Sequence, residues 1–210
     1  MTEIILARHG ETKWNVEEVF RGRMDVELNE TGIKQAQLLA GHLKDTRIEA
    51  VFSSPLKRAL KTAEEVASPH RLEVQVSPGL NDLDFGEWQG IPLPEVKEKY
   101  KDLFREWADS PGTVVLPGGE GLDNVTARAM ALVNMVVAEY KGTVVLVSHR
   151  VVNKVLVLAL LGLDNSHFWN IRQDTCAITT FNYVNGRFVL AVHNDTSYLR
   201  PLRAAQLADF

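Results

Sequence analysis

The sequence predicts an α/β fold: a three-layer sandwich with a mostly parallel central sheet, one antiparallel edge strand, and a helical insertion over the candidate active site. Three observations carry this expectation. Short, almost wholly apolar runs read as buried strands, and they alternate with segments whose apolar residues recur at helical spacing. Late in the chain, Asn185-Gly186 separates two strand-like runs, a strong hairpin signal that supplies the antiparallel edge. Between Gly86 and about Glu120 the chain turns richer in Gly, Pro and charge, which reads as an insertion rather than a second domain. One domain over 1–210, with the insertion at about 86–121, is expected of 210 residues.

The elements follow in order. Ile4-Ile5-Leu6-Ala7 fits a buried strand that ends at Arg8-His9-Gly10. Asn29 or Thr31 can cap a helix with Ile33, Ala36, Leu39, Ala40 and Leu43 on its apolar face. Ala50-Val51-Phe52-Ser53 reads as a second strand, after which Pro55 opens a helix at its first turn. That helix presents Leu56, Ala59, Leu60, Ala63 and Val66 on one face, and a short third strand follows over 73–76. The insertion holds one amphipathic helix around Leu93 to Trp107, and a long helix spans about Leu122 to Tyr140. Thr143 to Ser148 is the clearest buried strand and ends at His149; the next helix runs to about Leu161, stopped by Gly162. Ile178–Tyr183 and Arg187–Val192 flank the hairpin turn, an edge at which two copies could pair as a homodimer.

Composition narrows the classes of partner. The apolar fraction of 45% can build a sizeable core, and no apolar run approaches the roughly 20 residues that span a bilayer. Met1-Thr2-Glu3 lacks a secretory leader's basic and apolar segments, and a lone Cys176 excludes an internal disulfide framework. A cytoplasmic location is the expectation. A net charge of −4 gives no electrostatic case for nucleic acid or an acidic membrane, so an anionic ligand must be held where arginines converge.

Two apolar strands end in histidine, at Arg8-His9 and at Ser148-His149, and ligands of open α/β sheets bind beyond the strands' carboxyl ends. The two histidines can therefore meet across 140 positions of sequence. Each alone reads equally as a cap or a solvated side chain; the pair together does not. Arg8 follows a strand directly, and Arg58 lies early in the helix after the second strand, where it too can face that edge. Arginine's planar fork matches phosphate oxygens, and phosphoryl chemistry rests mostly on positioning and charge stabilisation. No phosphate-binding glycine loop and no cluster at metal-ligand spacing is present. A phosphatase without metal needs a protein nucleophile, and a neutral, oriented His9 qualifies.

With Asn15, these residues form a run, Arg8-His9-Gly10-Glu11-Thr12-Lys13-Trp14-Asn15, that resembles the R-H-G-E-T/S-x-x-N signature of the histidine phosphatase superfamily, the phosphoglycerate-mutase-like fold. The likeness continues through Phe20 to Gly32, through Ser53-Ser54-Pro55-Leu56-Lys57-Arg58-Ala59, through Asp84-Phe85-Gly86-Glu87-Trp88, and closes at Val147-Ser148-His149. It implies a phosphatase of small phosphate monoesters, with a phosphohistidine on His9 and neither metal nor cofactor. Arg8, Arg58 and His149 would surround the phosphoryl group, with Asn15 as a further donor and Arg21 and Gly22 in the loop that contacts phosphate or substrate. Where relatives carry a glutamate as proton donor, this chain has Asp82, one methylene shorter, with Glu87 as the fallback acid. Arg150 stands where phosphatase relatives usually have glycine, able to meet a substrate anion or a surface carboxylate. His42, His70, His167 and His193 read as structural or solvated; Trp14, Phe85 and Trp88 read as packing around the site.

Two rivals share the resemblance. A cofactor-dependent phosphoglycerate mutase would carry E-R-H-Y-G where this chain has Asp82-Leu83-Asp84-Phe85-Gly86, and a longer insertion and tail than the short segment after Pro201. A non-catalytic binder of phosphorylated ligands would not need every competent residue type. The insertion is similar to that of α-ribazole phosphatases and metal-independent phosphoserine phosphatases, and the expected partner is a small phosphorylated metabolite.

Overall fold

The computed structural model describes residues 1–202; the segment after Pro201, expected to be too short to cover the site, lies almost wholly outside the described residues. Six strands, β1 (Thr2–Arg8), β2 (Ile48–Ser53), β3 (Val74–Val76), β4 (Thr143–Ser148), β5 (Ile178–Val184) and β6 (Arg187–Asp195), form one sheet in the order β3-β2-β4-β1-β5-β6. The first four are mutually parallel; β5 runs against β1, and β6 runs against β5 along the outer edge. The helices are α1 (Lys13–Val16), α2 (Glu30–Leu43), α3 (Lys57–Ala67), α4 (Leu93–Lys99), α5 (Lys101–Asp109), α6 (Leu122–Glu139) and α7 (Arg150–Leu160).

Strand side chains alternate faces, so the central strands, apolar at nearly every position, feed two cores. Ile5, Ala7, Val51, Val145 and Val147 pack with Leu39 and Leu43 of α2 and Ala59, Ala63 and Val66 of α3. Ile4, Leu6, Phe52, Val144 and Leu146 pack on the other face with α6 and α7, through Val125, Val133, Val152, Val155 and Leu156. The insertion joins this second core through Trp88, Leu93, Val96 and Trp107. Among the described residues no helix is long and apolar enough to cross a membrane.

Local sequence explains the boundaries. Asn29, not Thr31, caps α2, its side chain accepting the Gly32 N–H at 2.8 Å. Ile33, expected on the apolar face, is 37% exposed. Ala36, Leu39, Ala40 and Leu43 are buried as expected, together with Gly32 and Gln35, and Ile33 lies at the edge of that stripe, about 20° beyond Ala40. Gly32 lets the helix approach the turn after His9 closely: a Cβ there would come within 2.0 Å of the Glu11 carbonyl oxygen. Leu56 is the N-cap of α3, so Pro55 precedes the helix rather than opening its first turn. The expected single insertion helix is two, broken at Tyr100 (φ −117°, ψ 38°). Asn185 and Gly186 both have positive φ, 51° and 78°, as a two-residue hairpin turn requires.

Candidate active site

The parallel register assembles the site. Arg8 lies opposite Ser148, and Ser53 opposite Val147, so β1, β4 and β2 end side by side. Each strand hands on one functional residue: His9 donates its N–H to Ser148 O at 3.0 Å, Ser54 donates to Val147 O at 3.1 Å, and His149 follows β4. The imidazoles of His9 and His149 meet edge to face with centroids 5.2 Å apart, and both are buried.

His9 Nδ1 sits 2.6 Å from the Gly10 carbonyl oxygen. A carbonyl only accepts, so Nδ1 carries the proton and Nε2 presents a lone pair. Burial and the guanidiniums of Arg58, Arg8 and Arg21 hold His9 well below the usual histidine pKa, which keeps the ring neutral. His149 is lowered for the same reasons, burial first and then Arg58. Its Nε2 lies 2.8 Å from Ser54 Oγ, and its Nδ1 lies 3.6 Å from Asp82 Oδ2. Thr62 ties this edge together, accepting the Gly10 N–H at 3.1 Å and donating to the Arg58 carbonyl at 2.8 Å.

Arg8 and Arg58 are fully buried beside the histidines. Arg8 Nη1 donates to Gln173 O at 2.6 Å, which fixes its orientation from the far side of the sheet edge. Arg58 donates to the carbonyls of Met24 and Gly22 and, at 3.0 Å, to Asp82 Oδ2. Arg58 Nε and His149 Nδ1 are buried with no hydrogen-bond partner, a cost that a bound anion would relieve. The N-termini of α3 and α7 also converge here, adding positive potential.

A cavity of about 270 Å³ opens above His9. Arg21, Gly22, Asp82 and Arg150, all candidates from the sequence, line it; Phe20, Phe85, Trp107 and Trp169 give it an aromatic wall. Asn15 does not line it: its Oδ1 accepts from Thr12 N and Oγ1 in a capping box that closes α1. Glu87 is exposed, bonded to the Tyr100 hydroxyl at 3.1 Å, and stands outside the cavity lining. His193 is exposed, its Nδ1 3.3 Å from Thr179 Oγ1, and does not line the cavity. Among the described residues, no group of three or more His, Cys, Asp or Glu side chains is placed to hold a metal ion.

Sequence reasoning missed several participants. Arg128, in α6, donates to the carbonyls of Gly79, Asn81 and Asp82 and to Glu120, clamping the loop that carries Asp82. Ser54 was within the quoted motif, but its contact with His149 follows only from the register. Lys97, Phe104 and Trp169 reach the cavity from α4, α5 and the segment after α7, where no spacing signals it.

Comparison with known proteins gives the same picture. The sequence profile of the histidine phosphatase superfamily (branch 1) matches residues 4–196. Phosphoserine phosphatase 1 of Hydrogenobacter thermophilus is 38% identical over 200 residues, covering 95% of each chain. Among solved structures, Bacillus stearothermophilus YhfR superposes with a TM-score of 0.90 at 30% identity, over 95% of this chain and 100% of that one. A mycobacterial glucosyl-3-phosphoglycerate phosphatase superposes with a TM-score of 0.87 at 29% identity, over 92% of this chain and 99% of that one. Histidines from two parallel strands, ringed by arginines at one sheet edge, are thus found in a chain that belongs to the histidine phosphatase superfamily, branch 1, and is a phosphatase.

Proposed function

We propose that the chain hydrolyses small phosphate monoesters through a phosphohistidine on His9, without a metal ion. The contact of His9 Nδ1 with the Gly10 carbonyl carries this reading, because it points an unprotonated Nε2 as the nucleophile. Nε2 attacks phosphorus as the ester P–O bond breaks, and Asp82 gives its proton to the leaving alkoxide. Water then attacks the phosphohistidine, Asp82 takes the water's proton, and the N–P bond breaks to release phosphate. Arg8, Arg58 and His149 stabilise the transferring group's equatorial oxygens, the work that metal ions do in other phosphoryl-transfer sites. Arg21 and Gly22 edge the phosphate position, while Asn15 acts through Thr12 by fixing the turn after His9.

The test is rapid quenching in alkali with labelled substrate. Acid-labile phosphate should appear on His9, and His9→Ala should remove both label and turnover. A His9→Ala variant with near-normal activity would overturn the reading.

A further inference from the structure

The tautomer of His9 depends on one carbonyl, that of Gly10, and a carbonyl is only half of a peptide group. In the planar trans peptide joining Gly10 to Glu11, the C=O and the N–H point in opposite directions, so whatever holds one end aims the other. The carbonyl end lies 2.6 Å from His9 Nδ1. The N–H end donates to Gln35 Oε1 at 2.8 Å.

Glycine at position 10 makes the second contact matter. A Cβ there would come within 2.4 Å of the Gly32 carbonyl oxygen, so a side chain is excluded. Glycine, however, lets the peptide that follows it rotate with little steric resistance. Rotated by half a turn, that peptide would offer Nδ1 a donor in place of an acceptor. The ring proton would then sit on Nε2, and the lone pair needed to attack phosphorus would be gone.

Gln35 is placed to prevent this. It lies one turn after Gly32 in α2, and it is 2% exposed. The Glu11 N–H only donates, so the amide oxygen must face it, and the other end, Nε2, donates to Thr175 Oγ1 at 3.4 Å. Thr175 in turn precedes Cys176, whose N–H donates to the His9 carbonyl at 3.1 Å. One buried amide thus joins the turn that leaves His9 to the segment that pairs with His9 itself. Resting on the phosphatase reading above, we infer that Gln35 is a positioning residue for the nucleophile: by holding the peptide between Gly10 and Glu11, it keeps the His9 proton on Nδ1 and the lone pair on Nε2.

NMR of protein labelled with ¹⁵N in its histidine rings tests this, because protonated and unprotonated ring nitrogens resonate far apart. The His9 signals are assigned by their loss in His9→Ala. In the wild-type protein, His9 should carry its proton on Nδ1. Gln35→Met, which nearly keeps the volume and removes the acceptor, should shift His9 towards the Nε2–H tautomer. It should also slow phosphohistidine formation by about 10- to 100-fold, the effect of leaving one N–H unmet, while KM changes far less because Arg8 and Arg58 stay in place. Gln35→Glu keeps an oxygen at the same reach and should restore both tautomer and rate. Gln35→Asn, one methylene short, carries the same test where Gln35→Met does not fold. A proton on Nε2 in the wild type would overturn the inference, as would a lost acceptor that lowers stability yet leaves tautomer and rate unchanged. So would a Gln35→Glu variant that fails to restore the tautomer. In each case acid-labile phosphate on wild-type His9 would leave the phosphatase reading standing, and its absence would remove that reading itself.

Discussion

Asp82 lies 3.0 Å from Arg58 and 3.6 Å from His149, while Glu87 meets the Tyr100 hydroxyl. If Asp82 is the proton donor, Asp82→Asn should slow hydrolysis of alkyl phosphates by the roughly 10²–10⁴-fold typical of general acid catalysis. It should slow phosphohistidine formation from p-nitrophenyl phosphate far less, since nitrophenolate leaves without help. Burst-phase kinetics separate the two steps. Glu87→Gln should show no leaving-group dependence. The two site histidines also set a pH dependence. Both are held well below 6.5, so the folded state binds their protons less readily than the unfolded chain does. Stability from this source is complete above pH 6.5 and is lost as pH falls toward the lowered folded values, with a slope up to about 1.4 kcal/mol per pH unit for each histidine. Urea unfolding at stepped pH measures it. For kcat/KM, the acid limb belonging to a neutral His9 should lie below pH 6.5, so a limb above that value would contradict it.

At the scale of the element, α2 shows how position decides the effect of one chemical change. Gly32 and Gly41 both lie in this helix. A methyl group at Gly32 would meet Glu11 O at 2.0 Å, whereas one at Gly41 meets nothing within 4 Å. Gly32→Ala should therefore destabilise by about 1–3 kcal/mol and disturb turnover, because Gly10 and Glu11 lead out of His9. Gly41→Ala should stabilise by about 0.5–1 kcal/mol through helix propensity and leave turnover alone. Denaturant midpoints and kcat on the two variants check both signs. The insertion shows the limit of periodicity: Leu93, Val96 and Trp107 keep a helical spacing, yet Tyr100 leaves helical dihedrals between α4 and α5. Its hydroxyl reaches Glu87 and its ring packs near Trp88, tertiary contacts that no local pattern contains.

At the scale of the molecule, Arg8, Arg58, Arg21 and the N-termini of two helices bring positive charge to the site, and the proposed mechanism draws on these alone. Prolonged EDTA treatment should leave the rate unchanged, and vanadate, as a five-coordinate mimic, should inhibit. Activity that vanished with chelator and returned with magnesium or zinc would contradict this. The sheet and the histidine pair were legible in the sequence because apolar strands leave a dense local signal and both histidines sit at strand ends. Arg128 and Ser54 were not, because their partners lie on other elements: Arg128 reaches back 46 to 49 positions to its carbonyls, and Ser54 reaches forward 95 to His149. Cavity walls drawn from α4, α5 and the segment after α7 are likewise a product of packing, and so Trp169 left no mark in a motif.

The position of β1 has a consequence for how the protein comes into being. This strand is made first, yet it lies between β4 and β5, which are made late, and Arg8 is anchored 165 positions away on Gln173. A growing chain therefore holds His9 long before anything can orient it. The site closes only after the last third of the polypeptide is present, when long-range pairing has met its loop-closure cost. Competence toward phosphate esters should thus arrive abruptly during synthesis, with translation rather than folding of the amino-terminal half setting its time.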